Sequence, residues 1–489
     1  MKVAIVGAGF AGIATARVLH RLGHDITIYE AMPDVGGVWS CKRSYPGLSI
    51  QSTRFNALSE LEWRQGLPKC PAGPEVQTYL ETYVKTFGLD HCLRLGTVVV
   101  AAVQSDDKRW TVTTKSTGST DHTSTQETFD HLVVCNGTFN VPFVPDLPGR
   151  EAFEAAGGQI IHSSAFTQLE AAAGKDVLVV GYGKSACDVA VSASSVARRT
   201  TLVARRLQWK FPAAILGIPI DAVLTPRLVE ALFLFKRAPG ALSRLLNGPL
   251  ARVRSAIVAG LQGVVQLYAG TRSVGLQPEG TVLRGVGASL HVLTPGLVDR
   301  VREGKIAVHR DTCIRSLGAQ NGCPARCPAD LVIAGSGWRQ SAPFLQPDVL
   351  SDFTDAHGNF LLYRWIKPPS VENLWFNGYC GSICTPTSAE IAALWIATGI
   401  QGELKFPSAT QQRREAEEFI QHMETNGIKH AHGTQQIPFT YAVIDTLLAD
   451  LGAQIGWATY LAQWVMPLRP AAYKSVVDTV VRRLASDTR

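Results

Sequence analysis

The chain alternates between short runs of consecutive apolar residues and longer stretches in which apolar residues recur every three or four positions. Residues 3–6 and 177–180 are two such runs, and each is followed by a glycine-rich turn and then by a stretch with helical spacing. Consecutive apolar residues bounded by turns are typical of strands that are buried on both faces. The pattern therefore predicts an α/β fold with a parallel sheet in each of two places.

The first turn carries glycines at the spacing of a dinucleotide-binding loop. Gly7 permits a tight turn from strand to helix, Gly9 lets the backbone approach a pyrophosphate, and Gly12 lets the helix pack closely on the strand. The strand that follows ends at Glu30, whose carboxylate can accept hydrogen bonds from ribose hydroxyls. This arrangement predicts a dinucleotide without a 2′-phosphate.

Two further glycines come soon after this acid, in the sequence Gly36-Gly37-Val38-Trp39. Glycines at this point let the backbone lie near a diphosphate and a flavin ring, so Gly37 and Trp39 join the predicted cofactor-binding residues. Together with Glu30 they favour FAD over NAD in the first half of the chain.

The second turn repeats the loop as Gly181-x-Gly183-Lys184-Ser185, and a helix is predicted to about residue 197. The position that matches Glu30 is Ala204, and it is followed by Arg205 and Arg206. Guanidinium groups can bind a 2′-phosphate in a bidentate manner, so the second loop predicts NADPH rather than NADH. The alternative is two solvated arginines on a basic surface.

Composition is that of a large enzyme with several domains. The 489 residues are 46% hydrophobic and include 44 glycines, which is enough for two or three substantial cores. Met1 leads directly into a predicted core strand, so no targeting peptide and a cytoplasmic location are expected. The net charge of +7 suits phosphate-bearing ligands, and no basic and aromatic array predicts nucleic-acid binding.

The ten cysteines have no framework spacing and are expected to be reduced thiols. Two C-x-x-x-C pairs, Cys323/Cys327 and Cys380/Cys384, lie in sequence contexts that do not favour a metal, and no metal site is predicted. A flavin disulfide reductase would need a second cysteine five residues after Cys41, and Pro46 stands there.

Five further segments, together with the two loops, resemble the class B flavin-dependent monooxygenases, which include the flavin-containing monooxygenases and the Baeyer–Villiger enzymes. The resemblance covers roughly residues 1–210 and 325–410. The segments are residues 45–51, residues 135–139 with Gly137, residues 158–166, residues 330–338 with Gly335 and Gly337, and residues 378–390. The resemblance implies that Gly137, Gly335 and Gly337 also bind a cofactor, and that residues 330–338 return the chain to the flavin.

Three positions depart from the family pattern. Ala156 stands where the fingerprint of residues 158–166 is usually preceded by phenylalanine, and Phe166 ends it where Baeyer–Villiger members tend to have tryptophan. Gln51 resembles the asparagine of the heteroatom-oxidising branch more than the aspartate of the Baeyer–Villiger branch. The departures at Phe166 and Gln51 lean away from ester-forming chemistry, whereas nearby Phe153 can substitute in packing for the phenylalanine missing at Ala156.

The motifs predict two Rossmann-like domains, with the NADPH domain inserted in the FAD domain. Residues 1–150 would be the first part of the FAD domain, residues 155–325 the NADPH domain, and residues 326–435 the second part of the FAD domain. Residues 211–270 read as several short helices over the cleft, either a substrate-entry lid or ordinary packing. Residues 436–489 would be a helical tail, for which core or dimer packing is expected and a monotopic membrane contact is the alternative.

The resemblance implies a mechanism in which NADPH reduces FAD and the reduced flavin adds dioxygen at C4a to form a (hydro)peroxyflavin. Gln51 is the candidate for orienting oxygen or nicotinamide, and Arg54 is the candidate for stabilising an anion. The expected activity is oxygenation of a small apolar molecule at nitrogen or sulfur in specialised metabolism. Baeyer–Villiger oxidation, an NADPH oxidase or reductase, and a flavin-bound redox sensor are the alternatives.

Overall fold

The computed structural model describes residues 1–118, 123–232, 240–282, 291–314, 317, 329–425 and 440–487. The strands are β1 (Lys2–Val6), β2 (Asp25–Tyr29), β3 (Leu93–Arg94), β4 (Thr97–Gln104), β5 (Trp110–Ser116), β6 (Ser124–Phe129), β7 (His131–Val134), β8 (Val141–Pro142), β9 (Gln159–His162), β10 (Asp176–Val180), β11 (Arg199–Ala204), β12 (Lys210–Phe211), β13 (Ala214–Ile215), β14 (Ile218–Pro219), β15 (His291–Val292), β16 (Ile306–Arg310), β17 (Leu331–Ala334), β18 (Trp338–Arg339) and β19 (Leu374–Phe376).

The α-helices lie between these strands and after them. They are α1 (Phe10–Arg21), α2 (Gly73–Thr86), α3 (Arg150–Ala155), α4 (Lys184–Ala193), α5 (Ile220–Leu224), α6 (Arg227–Ala231), α7 (Ala241–Asn247), α8 (Ala251–Ala269), α9 (Leu297–Arg302), α10 (Pro347–Asp352), α11 (Thr385–Ile400), α12 (Ala409–Thr425), α13 (Tyr441–Asp450), α14 (Trp457–Ala462) and α15 (Lys474–Asp487). Among the described residues no helix is both long and apolar enough to cross a membrane.

Two five-stranded parallel sheets form the framework, and this confirms the predicted fold class. The first sheet has the order β19-β7-β1-β2-β3 and the second the order β16-β11-β10-β17-β9. The strands β1 and β10 precede the two glycine loops, and each is the middle strand of its sheet. Their apolar residues are suited to this position because both faces of a middle strand are covered. An antiparallel sheet of β4, β5 and β6 is attached to the first sheet.

The strand β17 corrects one expectation from the sequence. The family resemblance predicts that residues 330–338 return the chain to the first domain, but β17 pairs in parallel with β10 and β9 and lies in the second sheet. An apolar run does not specify which of two similar sheets it joins. The predicted boundary between the NADPH domain and the second part of the FAD domain, at residue 325, therefore falls too early in the chain. The chain crosses back later, in β18.

The two crossings between the sheets run side by side. The segment after β7 enters β8, the segment after β17 enters β18, and the two strands pair in antiparallel fashion. His162 fastens this ribbon, because its Nε2 donates to the Gly337 carbonyl at 3.0 Å while its Nδ1 accepts from the Ser164 amide at 3.2 Å. Its ring lies edge-on to Trp338 with 4.6 Å between ring centroids, and desolvation by burial lowers the pKa of His162.

The helical insertion and the tail pack on each other. Within residues 211–270 the described helices α5, α6 and α7 are short as expected, whereas α8 runs for 19 residues. Residues 233–239, which include part of the predicted helical spacing, lie outside the described residues. In the tail, α13, α14 and α15 are helices as predicted.

Candidate functional site

Each glycine loop begins at a position where only glycine fits. Gly7 has φ +109°, and a Cβ placed on it would lie 2.5 Å from the carbonyl oxygen of Cys135. Gly181 has φ +119°, and its Cβ would lie 2.5 Å from the carbonyl oxygen of Gly335. A side chain at either position would be strained by the backbone and would collide with the neighbouring strand.

The next glycine of each loop is the N-cap of the helix that follows. Neither Gly9 nor Gly183 has a side-chain cap, and neither α1 nor α4 has an acidic residue in its first turn. Among the described residues, the first N–H groups of each helix therefore have no side-chain acceptor, and the first turn of each helix carries no carboxylate that would repel an anion. A Cβ on Gly183 would meet nothing within 4 Å, so space is open in front of this loop. Both helix ends fit a diphosphate.

Residues predicted to complete the first site lie around its loop. A Cβ on Gly37 would be 3.4 Å from the Cα of Gly9, so the second glycine pair lies against the first. Glu30 is buried, and its two carboxylate oxygens accept from the amides of Ala8 at 2.8 Å and Met32 at 2.9 Å. Each oxygen keeps a further lone pair for a ribose hydroxyl. Trp39 ends the 3₁₀ turn Gly37–Trp39.

Gly137 has φ +78° and follows β7, at the same edge of the first sheet as the Gly7 loop. Gly335 and Gly337 follow β17 and therefore lie by the second loop, not by the first as expected. This placement suits a nucleotide at the second loop. The cofactor-binding role of these two glycines stays a prediction, and their expected position beside the first loop is wrong.

The second site is basic where the first is acidic. Arg205 and Arg206 follow β11, are exposed and make no ion pair with any described residue. They fit a 2′-phosphate better than an uncharged ribose hydroxyl. Lys184, however, is engaged within the protein, because its Nζ lies 2.5 Å from Asp188 Oδ1 on the next turn of α4.

A loop of the first domain, residues 45–54, connects the two sites; we call it the bridging loop. The hydroxyl of Tyr45 lies 3.1 Å from Ser185 Oγ and 3.3 Å from Asp188 Oδ2, and Ser192 Oγ donates to the Pro46 carbonyl at 2.7 Å. The bridging loop thus rests on α4, directly behind the second glycine loop. Burial, followed by the nearby Asp188 charge, raises the pKa of Tyr45, so its hydroxyl stays a hydrogen-bond donor.

Gln51 and Arg54, the two predicted catalytic residues, lie on the bridging loop and face the inserted part of the chain. Gln51 Oε1 accepts from the Val292 amide at 3.4 Å, and its amide nitrogen donates to no described residue. Arg54 Nε lies 3.5 Å from Asp221 Oδ2, which also accepts from Ser52 Oγ at 2.5 Å. The guanidinium of Arg54 is thus paired with a carboxylate and is not a bare anion site.

Sequence reasoning did not single out Lys210. This residue is 2% exposed, and its Nζ donates to the carbonyl of Tyr182, between the two glycines of the second loop, at 2.8 Å. Burial lowers the pKa of Lys210, and burial with the nearby charges of Lys210 and Lys184 lowers that of His291. The sequence does place Lys210 between Trp209 and Phe211, and a lysine flanked by large apolar residues indicates burial with a hydrogen-bond partner.

Glu390 is a second buried titratable residue, after Lys210, whose burial no sequence motif indicates. It lies in α11, is 2% exposed, and accepts from the amide and hydroxyl of Ser59. Burial raises its pKa to about 7, and the bonds from Ser59 oppose that shift only in part. It stands next to α1, because Asn377 and Gly378, which precede α11, contact Ala11.

The thiols show no pattern of metal ligands in the described part of the chain, where no group of three or more potential ligands occurs. Cys380 and Cys384 are buried free thiols, and burial raises the pKa of each. The pair Cys323/Cys327 lies outside the described residues.

Comparison with known proteins agrees with the geometry. Residues 1–248 match the model of the FMO-like family, described as flavin-binding monooxygenase-like. The chain is 29% identical to a 4-hydroxybenzoate brominase (decarboxylating) of Marinomonas mediterranea, over 87% of this chain and 78% of the relative. It is 25% identical to dimethylaniline monooxygenase [N-oxide-forming] 4 of Mus musculus, over 93% of this chain and 79% of the relative.

A solved structure shows the same fold over the whole chain. The S-allyl-L-cysteine S-oxygenase of Allium sativum superposes with a TM-score of 0.62 at 20% identity, and the match covers 100% of this chain and 98% of the other.

Proposed function

Because the chain belongs to the flavin-binding monooxygenase-like family, we propose that it inserts one oxygen atom of O₂ into a small apolar molecule at nitrogen or sulfur. The family makes it a flavin-dependent monooxygenase, and its cofactors are FAD and NADPH. The proposal concerns the substrate and the residues that serve the reaction.

The two cofactors are assigned by charge. Gly7, Gly9 and Gly12 with Glu30 would hold FAD, and Gly37, Trp39 and Gly137 would line the same site. Gly181 and Gly183 with Arg205 and Arg206 would hold NADPH, and Lys184, Ser185, Gly335 and Gly337 would line that site. When bound, the nicotinamide supplies hydride and the flavin supplies the activation of dioxygen.

One observation carries the preference for nitrogen or sulfur: the bridging loop offers a neutral amide and no free charge. Its only cation, Arg54, is paired with Asp221, and position 51 is glutamine and not a carboxylate. Such a site provides no strong support for a negatively charged oxidant, whereas a nucleophilic nitrogen or sulfur needs none. Gln51 would orient a bound group by hydrogen bonding through its unused amide nitrogen.

Buried apolar residues next to the bridging loop support the choice of an apolar substrate. Phe55 follows the loop directly, and Phe211 and Ile220 of the inserted part belong to the same buried apolar cluster. Apolar residues at this place would keep water from the reacting atoms, which is the protein's part in such an oxygenation.

The relatives support the reaction class and leave the substrate to experiment. The Mus musculus relative is named for N-oxide formation, and the Allium sativum structure is an S-oxygenase. The Marinomonas mediterranea relative is a decarboxylating brominase of 4-hydroxybenzoate, so 4-hydroxybenzoate with bromide is included in the test.

The test uses the purified FAD-loaded protein with NADPH and ¹⁸O₂. A tertiary amine, a thioether, a cyclic ketone, and 4-hydroxybenzoate with bromide are supplied separately, and mass spectrometry follows product and peroxide. We expect one ¹⁸O atom in the amine oxide or the sulfoxide. Formation of a labelled lactone would favour the Baeyer–Villiger alternative. Stoichiometric peroxide with every substrate would overturn the proposal in favour of an NADPH oxidase.

A further inference from the structure

The helical insertion and the tail carry most of the exposed large apolar side chains of the described residues. Leu216 in the β13–β14 turn is 78% exposed, Leu267 in α8 is 77% exposed and Trp457 in α14 is 78% exposed. The other members are Ile218, Leu228, Leu245, Leu250, Val253, Ile257, Val264, Tyr268, Tyr460, Leu461, Val465 and Met466. We call this set the apolar face. Patches of this kind mark a surface that binds something.

The members of the apolar face belong to elements that touch one another. The amides of Arg227 and Leu228 in α6 donate to the carbonyls of Gln463 and Trp464 at 2.8 and 3.3 Å, which joins the insertion to the tail. The helix α7 lies between α6 and α8, and α8 contacts β13. The insertion and the tail therefore pack against each other, although they are far apart in sequence, and the elements that carry the exposed apolar residues are neighbours in the fold.

The exposed side of α8 is a regular stripe. Val253, Ile257, Val264 and Tyr268 are spaced so that they fall on one side of the helix. The residues that α8 buries in the protein, Val258, Val265 and Ala269, lie on a different side. The exposed stripe is thus additional to the one that packs inside, and packing against the residues that the structure describes does not explain it.

Charge indicates what covers this surface. No Asp or Glu occurs between Glu230 and Glu279, whereas Arg244 and Arg252 in this stretch are exposed. The tail has no acid from residue 451 to residue 477, and its apolar segment is followed by the exposed Arg469 and Lys474. A second copy of the chain would bring these cations together, whereas anionic lipid headgroups would neutralise them.

We propose that the apolar face docks the protein on the surface of a bilayer that contains anionic lipids. The exposed aliphatic residues would enter the boundary between headgroups and acyl chains, and Trp457 and Tyr460 would lie at headgroup depth, where aromatic residues are favoured. The 19-residue α8 would lie along the surface. This contact concerns location and does not depend on which substrate is oxidised.

The test is flotation of the full-length FAD-loaded protein with vesicles of phosphatidylcholine alone or with 30% phosphatidylglycerol. We expect binding to the anionic vesicles, weakened at 0.5 M salt. The variants Trp457→Ser with Leu461→Ser, and Val253→Ser with Ile257→Ser, should each lower the partition coefficient about tenfold or more. The charge variant Arg244→Gln with Arg252→Gln should lower binding to anionic vesicles alone.

A matched control removes two exposed apolar side chains from another face. Val100→Ser with Val103→Ser changes the antiparallel sheet, where both residues are about as exposed as those of α8, and should bind vesicles like the wild type. FAD content and NADPH oxidation without vesicles check that each variant is folded. Failure of the wild type to float with either vesicle overturns the proposal. A sedimentation-velocity dimer that the apolar-face variants abolish, with no flotation, would assign the face to a second copy instead.

Discussion

The two glycine loops have nearly the same backbone and opposite surroundings. In each, the first glycine lies against the carbonyl of a neighbouring strand, Cys135 for Gly7 and Gly335 for Gly181. The residue after it is held by a buried side chain of contrasting type, a carboxyl group in the first loop and an amine in the second. Glu30 accepts from the amide of Ala8, whereas Lys210 donates to the carbonyl of Tyr182, each at 2.8 Å. The loop backbones therefore do not distinguish the two cofactors, and we assign FAD and NADPH from the residues around each loop.

The close packing of helix on strand is also achieved in two ways. On the first loop a Cβ on Gly12 would lie 1.9 Å from the Gly7 carbonyl oxygen, and the opposing strand supplies Cys135. On the second loop the helix supplies Ala186, and a Cβ on Gly335 would lie 2.6 Å from the Cβ of Ala186. The small residue can stand on either partner, because only the sum of the two side chains has to fit.

The largest effect is expected from a matched pair of substitutions, Gly9→Ala and Gly183→Ala. The new Cβ would make ordinary contact with Gly37 in the first case and meet nothing within 4 Å in the second, so the protein itself tolerates both. A bound diphosphate would lose close backbone contact. We expect Gly9→Ala to lose most of its FAD, and Gly183→Ala to keep FAD and lose about 100-fold or more in kcat/KM for NADPH.

Flavin absorbance per polypeptide and steady-state kinetics measure these outcomes. Gly260→Ala, in an open position of α8, is the control and should change neither quantity. Loss of FAD from Gly183→Ala would show that the two cofactors have been assigned to the wrong loops.

The next effect concerns the end of β11. Replacing both Arg205 and Arg206 by glutamine removes two guanidinium groups that make no ion pair with described residues. One hydrogen bond to a charged group contributes about 1.5–3 kcal/mol, so the loss of the equivalent of one such bond to the 2′-phosphate should lower kcat/KM for NADPH about 10- to 100-fold with little change for NADH. Arg199→Gln, at the exposed start of the same strand, is the control. An equal loss with both nucleotides would argue against a 2′-phosphate site.

The two sites also differ in their buried carboxylates. Asp188 is paired with Lys184, whereas Glu390 is held by the neutral Ser59 and has a pKa of about 7. Because this pKa is raised, the stability that Glu390 contributes is complete below its unfolded pKa near 4.5 and is lost as pH rises through about 7.

The variant Glu390→Gln should therefore remove part of the pH dependence of stability. Between pH 5 and pH 8 the wild type should lose about 2 kcal/mol of unfolding free energy relative to the variant. Urea denaturation at both pH values measures the free energy of unfolding. The control is Glu62→Gln, which removes an exposed carboxylate in the loop after Ser59. Parallel pH profiles of wild type and Glu390→Gln would contradict the assigned pKa.

The smallest predicted effect is that of Lys210→Met. This substitution removes the hydrogen bond from Lys210 to the Tyr182 carbonyl, so the second loop is no longer held in one orientation. KM for NADPH should therefore rise about tenfold, with kcat and FAD content unchanged. Stability should not fall, because a buried charge is costly to keep. Lys175→Met, before the start of β10, is the control. A fall in stability without a change in KM would make Lys210 a purely structural residue.

The sequence predicted the parts of this arrangement that local chemistry determines. The strands before the loops, the glycines with positive φ and the contrast between Glu30 and Arg205 follow from short motifs. The sheet to which β17 belongs did not follow, since an apolar strand fits either sheet equally well. The partners of Gln51 and Arg54 did not follow either, because the approach of Val292 and Asp221 depends on how the insertion folds.

FAD in the first loop and NADPH in the second is the assignment on which the proposed function rests. Anaerobic stopped-flow absorbance of the FAD-loaded protein tests it most directly, with NADPH or NADH as the reductant and wild type compared with Gly183→Ala. We predict rapid bleaching of the wild-type flavin by NADPH, much slower bleaching by NADH, and slow bleaching with retained FAD in Gly183→Ala. Two results would contradict this assignment. One is a wild-type flavin that NADPH fails to reduce, and the other is a flavin in Gly183→Ala that NADPH reduces at the wild-type rate.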